Sequence, residues 1–309
     1  FAFAGTAGLI LPRTTLFGAA APGNKLNVAL IGTWGRGEAH FGALSSENVV
    51  ALCDVNEEHL AFGAKKFTTA KTYVDWRQCL DQKDVNAVVC CSADHTHAFI
   101  ANWAMNRGQH VYMEKPFCRT PKEADEMAAA CERHKVKLAI AHQTRYSPRL
   151  HMVRQLIEEG AIGTVLELRG RGKEDSRGGG EDLWVLGSHV MNLIHHLGGE
   201  PQWCCATVLQ DGKPVTKEHV KPGNEGIGPL AGDAVHAMYE LDNGVSAYFG
   251  SCRNAAGNRF GLQIYGSEGV IEILTGHLPA VHILQDPMWS PGRSGKSWVP
   301  VSSAGIGQE

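Results

Sequence analysis

The chain has 309 residues, with 29 lysines and arginines against 32 aspartates and glutamates and a formal net charge of -3. At about 100 to 200 residues per domain this length suggests two domains, and the near balance of charge excludes a broad electrostatic pull toward nucleic acid or an anionic membrane. After the first 24 positions no run of about 18 or more strongly apolar residues occurs, so no internal membrane span is expected.

The first 23 residues, FAFAGTAGLILPRTTLFGAAAPG, are apolar and rich in small side chains before Asn24 and Lys25 bring in polarity. Two descriptions fit residues 1–24: an export signal lacking its basic start, or an N-terminal arm packed on a neighbouring subunit. Exported and cytoplasmic locations stay equally open. Nine cysteines without a CxxC or a regular spacing read mostly as small buried hydrophobes, and neither a disulfide framework nor a metal site is expected.

Residues 25–145 alternate between two periodicities. LNVALI at 26–31, VVALC at 49–53, AVVCCS at 87–92, HVYME at 110–114 and VKLAI at 136–140 are short apolar runs suited to strands covered on both faces. Between them, HFGALSS, Glu57 to Lys66, a segment from His97 and Pro121 to Lys135 read as helices. The pattern is α/β with a parallel sheet, in which ligands lie beyond the carboxyl ends of the strands. Those ends carry Gly32 to Gly37, Asp54, Ser92 to His97, Glu114-Lys115-Pro116 and His142 to Tyr146.

GTWGRG at 32–37 follows a strand, opens a helix and precedes Asp54 by 22 residues, the context of a dinucleotide-binding turn. Gly32 suits the tight turn and Gly37 the close packing of helix on strand, but Trp34 replaces the glycine that lets backbone approach a pyrophosphate. With ordinary backbone angles and its ring turned sideways, Trp34 can still present its N–H to a phosphate, while Gly35 supplies local freedom. Asp54 can accept from a ribose hydroxyl and repels a 2'-phosphate, favouring NAD over NADP; Arg36, within reach of a phosphate, speaks the other way.

The second half also has its own pattern. Arg149 to Glu159 is amphipathic and stops at Gly160, TVLELRG at 164–170 reads as a strand, and HVMNLIHHL at 189–197 as a helix. AVHAMYEL and VSAYFGS flank the hairpin signal DNG, and FGLQIYG and VIEIL continue as strands around GSEG. Residues 211–232 read as a long loop or insertion, and 287–309 as an arm or poorly ordered tail. The domains expected are therefore 25–145 for the dinucleotide and 146–286 for substrate and oligomer contacts.

The order GTWGRG, Cys53-Asp54, SADHTH at 92–97, EKP at 114–116, GGG at 178–180 and GSH at 187–189 resembles the glucose-fructose oxidoreductase, inositol dehydrogenase and MocA (Gfo/Idh/MocA) family over roughly residues 25–285. The resemblance implies an N-terminal Rossmann domain and a C-terminal α+β domain with a large, mostly antiparallel open sheet that often forms the oligomer interface. It implies oxidation or reduction at a hydroxyl-bearing carbon of a saccharide or polyol-like substrate with NAD or NADP, in metal-free chemistry.

Lys115, directly after a strand, is the first catalytic candidate, as a contact or proton-transfer group at the substrate oxygen, with Pro116 cis as in the family. His189 is the second, because imidazole exchanges protons near neutral pH. For the cofactor the candidates are Gly32, Trp34, Gly35, Arg36, Gly37, Asp54, Ser92, His97, Glu114 and Lys115, with Glu114 beside the nicotinamide ribose and His97 lining the nicotinamide pocket. For the substrate they are Arg145, Tyr146, Arg171, Lys173 and Asn192.

Many family members carry aspartates four residues before and three after the histidine, where this chain has Val185 and Asn192. Valine cannot orient a hydroxyl, and asparagine hydrogen-bonds without charge. Glu181 and Asp182 are the alternatives for the missing carboxylate. Beside the NAD-dependent oxidoreductase stand two other expectations: a redox-neutral enzyme that retains NAD for elimination or glycoside cleavage, and a catalytically inactive sugar- or nucleotide-binding protein, supported by Val185.

Overall fold

The computed structural model of the chain describes residues 25–224, 227–254, 260–276 and 278–308. The expectation for residues 1–24 lies outside them. The chain divides between Ala141 and His142 into two units.

In the first unit, β1 (Asn27–Ile31), β2 (Asn48–Cys53), β3 (Lys71–Tyr73), β4 (Ala87–Cys90), β5 (His110–Met113) and β6 (Leu138–Ile140) form one sheet in the order β3-β2-β1-β4-β5-β6. Every pairing in it is parallel. The helices are α1 (Phe41–Leu44), α2 (Glu57–Lys66), α3 (Trp76–Leu80), α4 (His97–Met105) and α5 (Pro121–His134). Alternation along β1 and β2 feeds two apolar layers, which is why these strands read as unbroken apolar runs. Ala29, Ile31, Ala51 and Cys53 join Met105 and Met127 on one side, and Leu30 and Leu52 join Phe41 and Leu60 on the other.

Local chemistry sets the helix starts. Asn56 accepts from the N–H groups of Glu58 and His59 at the head of α2, and Thr120 accepts from Glu123 N–H before Pro121 at the first helical position of α5. Only three of the nine cysteines, Cys53, Cys79 and Cys90, are buried, fewer than expected, and Cys204 and Cys205 are exposed. Burial pushes the Cys90 thiol up to about 11, so it behaves as an inert core group.

The second unit contains α6 (Pro148–Glu158), β7 (Val165–Arg171), α7 (Gly180–Val185), α8 (Gly187–Gly198), β8 (Pro201–Gln210), β9 (Lys213–Pro214), β10 (Lys221–Pro222), β11 (Pro229–Leu230), β12 (Ala234–Leu241), β13 (Ser246–Cys252), β14 (Gly261–Gly266), β15 (Gly269–Leu274), β16 (Ala280–Leu284), α9 (Pro291–Ser294), β17 (Val299–Ser302) and β18 (Gly305–Ile306). Ten strands form a sheet in the order β18-β17-β16-β15-β14-β7-β13-β12-β8-β9, antiparallel throughout except where β7 runs parallel to β13. One face of it is dry. Leu168, Phe249, Ile264 and Ile273 pack there with Leu150 and Val153 of α6 and Val190 and Leu193 of α8.

Two expectations are corrected here. Residues 287–309 are not simply an arm or tail, because β17 pairs with β16 and β18 with β17, and Val301 is buried in the core. Within 211–232, β9 extends the sheet and β10 and β11 form a small ribbon. Sequence reading also passed over β8, whose PQWCCATVLQ shows no alternation because most of the strand is exposed.

Candidate functional site

The glycine turn sits where the strand order reverses, between β1 and its neighbours β2 and β4. Gly32 N–H donates to Cys53 O at 2.8 Å and Cys91 N–H donates to Ile31 O at 2.7 Å, so the turn begins tied to both flanking strands. Gly32 has φ +84°, and a Cβ there would lie 2.5 Å from Cys91 O. A Cβ on Gly37 would strike the carbonyl oxygen of Gly32. Both positions therefore admit glycine alone unless the backbone shifts. Trp34 stays outside the left-handed region, and Gly37 N–H closes the turn on Trp34 O at 3.1 Å.

Asp54 follows β2 with its side chain 11% exposed. Its Oδ2 accepts from Thr33 N–H at 2.9 Å and lies 3.2 Å from the Thr33 hydroxyl, while Oδ1 accepts from Asn56 N–H at 3.0 Å. Asp54 thus fastens the glycine turn to the end of β2, and Oδ1 keeps lone-pair capacity for a hydroxyl donor.

Glu114, 4% exposed, follows β5. Its Oε1 accepts from Arg36 Nε at 2.8 Å and lies 2.8 Å from His40 Nε2. Burial pushes this carboxyl up, but the hydrogen bonds from His40 and Arg36 more than offset it and hold the group below its ordinary value. Arg36, expected within reach of a phosphate, gives its Nε to Glu114, which leaves its terminal N–H groups as the donors for such a contact. His40 was missed by sequence reading, and the only signal for it is its place in the first turn after Gly37.

Lys115 is half-buried and joined to Pro116 by a cis peptide bond, as expected. His97 overturns its expectation. It is fully buried, with Nδ1 2.8 Å from Pro116 O and Nε2 3.1 Å from Ser92 O. It braces the backbone behind Lys115 from within the core and does not line a pocket. The Ser92 hydroxyl bonds Thr96 Oγ1 at 2.7 Å. The residues at these strand ends fit a dinucleotide: a tight turn that admits only glycine at 32 and 37, where a Cβ would strike backbone, opens a helix at the end of β1, and a carboxylate with acceptor capacity stands at the end of β2.

In the second unit, α7 starts at a triglycine that passes against strand backbone. At Gly178 a Cβ would meet Arg253, and at Gly179, φ +90°, it would lie 2.5 Å from Asp233 C. Asp182 is fully buried, with Oδ2 accepting from Ser251 Oγ at 2.5 Å; burial outweighs that bond and raises its carboxyl above the ordinary value. Glu181 accepts from Asn224 Nδ2 at 2.7 Å. Asp182 is therefore no substitute for the carboxylate absent at Val185, itself 1% exposed.

His189 lies in the first turn of α8, its ring perpendicular to His142 at 5.3 Å and near Phe260 at 6.2 Å. Asn192 follows one turn later, and among the described residues its buried Oδ1 has no hydrogen-bond partner. Arg145 is half-buried and Tyr146 is 54% exposed, both in the turn Gln143–Tyr146.

Arg171 is not brought beside them. Gly170, its neighbour on β7, faces Val190 of α8, so Arg171 points to the opposite face of the sheet, where it pairs with Glu174 at 2.5 Å. Lys173 pairs with Asp175 at 3.5 Å.

A doubly wound parallel sheet with a glycine turn at its switch point, followed by a broad mixed sheet with a helical histidine, defines a two-unit dinucleotide-binding oxidoreductase. Residues 26–142 match the oxidoreductase family with an NAD-binding Rossmann fold, and residues 150–272 match the GFO/IDH/MocA C-terminal domain. The chain belongs to the Gfo/Idh/MocA family of NAD-binding oxidoreductases. It is 30% identical over 284 residues to a levoglucosan dehydrogenase of Pseudarthrobacter phenanthrenivorans, covering 80% of this chain and 73% of that one. An inositol 2-dehydrogenase of Salmonella typhimurium is 28% identical over 152 residues, 47% of this chain and 45% of its own. A solved levoglucosan dehydrogenase in complex with NADH and levoglucosan superposes with a TM-score of 0.73 at 26% identity, over 90% of this chain and 80% of that one. Among the described residues no helix is long and apolar enough to cross a membrane.

Proposed function

We propose that the protein is an NAD-dependent dehydrogenase of a saccharide or polyol, in which Lys115 orients and deprotonates the reacting hydroxyl and His189 shares the acid-base work. One observation carries the reading: Glu114, adjacent to Lys115, is bonded through Arg36 and His40 to the glycine turn, so the lysine and the cofactor turn are held as one assembly. The cofactor supplies the hydride acceptor. Lys115 then has to hold the hydroxyl oxygen and take its proton as the carbon loses hydride. The buried Oδ1 of Asn192 supports a role as acceptor for a second hydroxyl, the uncharged counterpart of the family's aspartate. Substrates of the relatives, levoglucosan and inositols, are the first to try.

The test is a survey of such compounds for NADH formation, alongside mass spectrometry of small molecules released on denaturing the fresh protein. Formation of NADH on a sugar, lost in Lys115→Met, supports the proposal. Absence of any nucleotide, on release and on titration, overturns it.

The open face of the ten-stranded sheet supports assembly into a homo-oligomer. It carries half-exposed Trp203 and Met238, a cavity of about 700 Å³, and Arg169 paired with Glu167 and lying 5.1 Å from the Tyr265 ring. Both charge signs and aromatic surface on one face suit a self-complementary twofold contact.

A further inference from the structure

Trp34, the residue that breaks the glycine pattern, is held beside Asp54. Its indole stacks on the His59 imidazole with centroids 5.2 Å apart and planes 9° from parallel. The edge of Phe62 meets it at 4.9 Å, and Phe62 stacks in turn on buried Phe41 at 5.9 Å. His59 is fixed from both sides of the turn. Its carbonyl accepts from the Thr33 hydroxyl at 2.7 Å, and its Nδ1 lies 3.9 Å from Asp54 Oδ1. Gly63 lets α2 close on the turn, since a Cβ there would lie 2.9 Å from Thr33 Cβ. The slab of Trp34 and His59 is thus anchored to the core and abuts Asp54 Oδ1, which retains acceptor capacity.

We propose that the Trp34–His59 stack is the wall that selects the cofactor's ribose, leaving room for a 2'-hydroxyl that donates to Asp54 Oδ1 and none for a 2'-phosphate. This rests on the dinucleotide reading of the turn. Asp54 alone contributes charge repulsion, which water and counterions screen; a rigid aromatic slab adds an exclusion that salt does not weaken. Arg36 gives its Nε to Glu114, which fixes where the guanidinium stands.

Isothermal titration of the full chain with NADH and with NADPH tests the wall, using wild type, Trp34→Gly, His59→Ala, the double variant and Asp54→Asn. Wild type is expected to prefer NADH by about 100-fold or more, and the double variant to narrow that ratio by at least about tenfold through tighter NADPH binding. The part of the selectivity removed in the double variant is expected to persist at high salt, whereas the part removed in Asp54→Asn fades. Melting curves report folding of each variant; should Trp34→Gly fail to fold, His59→Ala on the rim of the stack carries the comparison.

Unchanged selectivity in the stack variants with collapse in Asp54→Asn overturns the wall and leaves the carboxylate as sole selector. Selective loss of NADPH binding in His59→Ala overturns it too, by making the imidazole a phosphate ligand. Failure of wild type to bind either nucleotide overturns the dinucleotide reading itself.

Discussion

Two buried carboxylates of this protein are shifted from their ordinary values in opposite directions, and the difference lies in what each oxygen meets. Glu114 is held below its ordinary 4.5 because His40 and Arg36 offset its burial. Its contribution to stability is therefore present above pH 4.5 and lost as the pH falls through the lower folded value. Asp182 is raised above 3.8 because burial outweighs the Ser251 bond, so its contribution is full below 3.8 and lost as the pH rises through the folded value. Melting temperatures across pH are expected to show this directly. The deficit of Glu114→Gln relative to wild type shrinks on acidification, and that of Asp182→Asn shrinks as the pH rises. Parallel pH curves for either variant refute the assignment. At the reacting centre, Lys115→Met is expected to lower kcat by about 10² to 10⁴ while calorimetry shows NADH still bound. A loss of binding instead makes Lys115 a cofactor contact only. The residue type of Lys115 and its position after a strand were legible in the sequence; the burial of His97, the capture of Arg36 and the place of His40 depend on chains far apart in sequence and were not.

Elements locate these residues through close backbone approach more than through side-chain chemistry. The glycine turn is the clearest case: Gly37→Ala puts a methyl group into the Gly32 carbonyl, an overpacking expected to cost about 1 to 3 kcal/mol and to abolish NADH binding. Thermal unfolding and titration check both, and a stable variant that binds normally would show that the turn relaxes without consequence. The triglycine before α7 works in the same way, letting the chain graze the backbone at Arg253 and Asp233. At this scale the sequence was most informative where periodicity was strong. The core strands β1, β2, β4 and β5 and helices α2 and α5 were all visible as apolar runs or as the helical stretches between them. Short β3, the exposed β8 and the one-and-a-half-turn α7 were not, because each is stabilised by its neighbours and has little pattern of its own.

At the scale of the whole molecule, the open face of the ten-stranded sheet makes its own prediction. Trp203→Glu, on exposed β8, is expected to shift sedimentation from oligomer to monomer while leaving the melting temperature within a few degrees, since it removes apolar contact area and no core packing. A wild type that sediments as a monomer at all concentrations rules out assembly through this face. The sequence by itself determined the two-part organisation, the parallel sheet and the dinucleotide turn, because each is written in local periodicity and in glycine spacing that short-range sterics dictate. Only the tertiary structure decided that Trp34 lies against His59, that Arg36 answers to Glu114, that Arg171 faces away from α8 and that Asp182 is sealed in the core. Those outcomes depend on which strand faces which helix, a choice made by long-range packing after the local patterns are already satisfied.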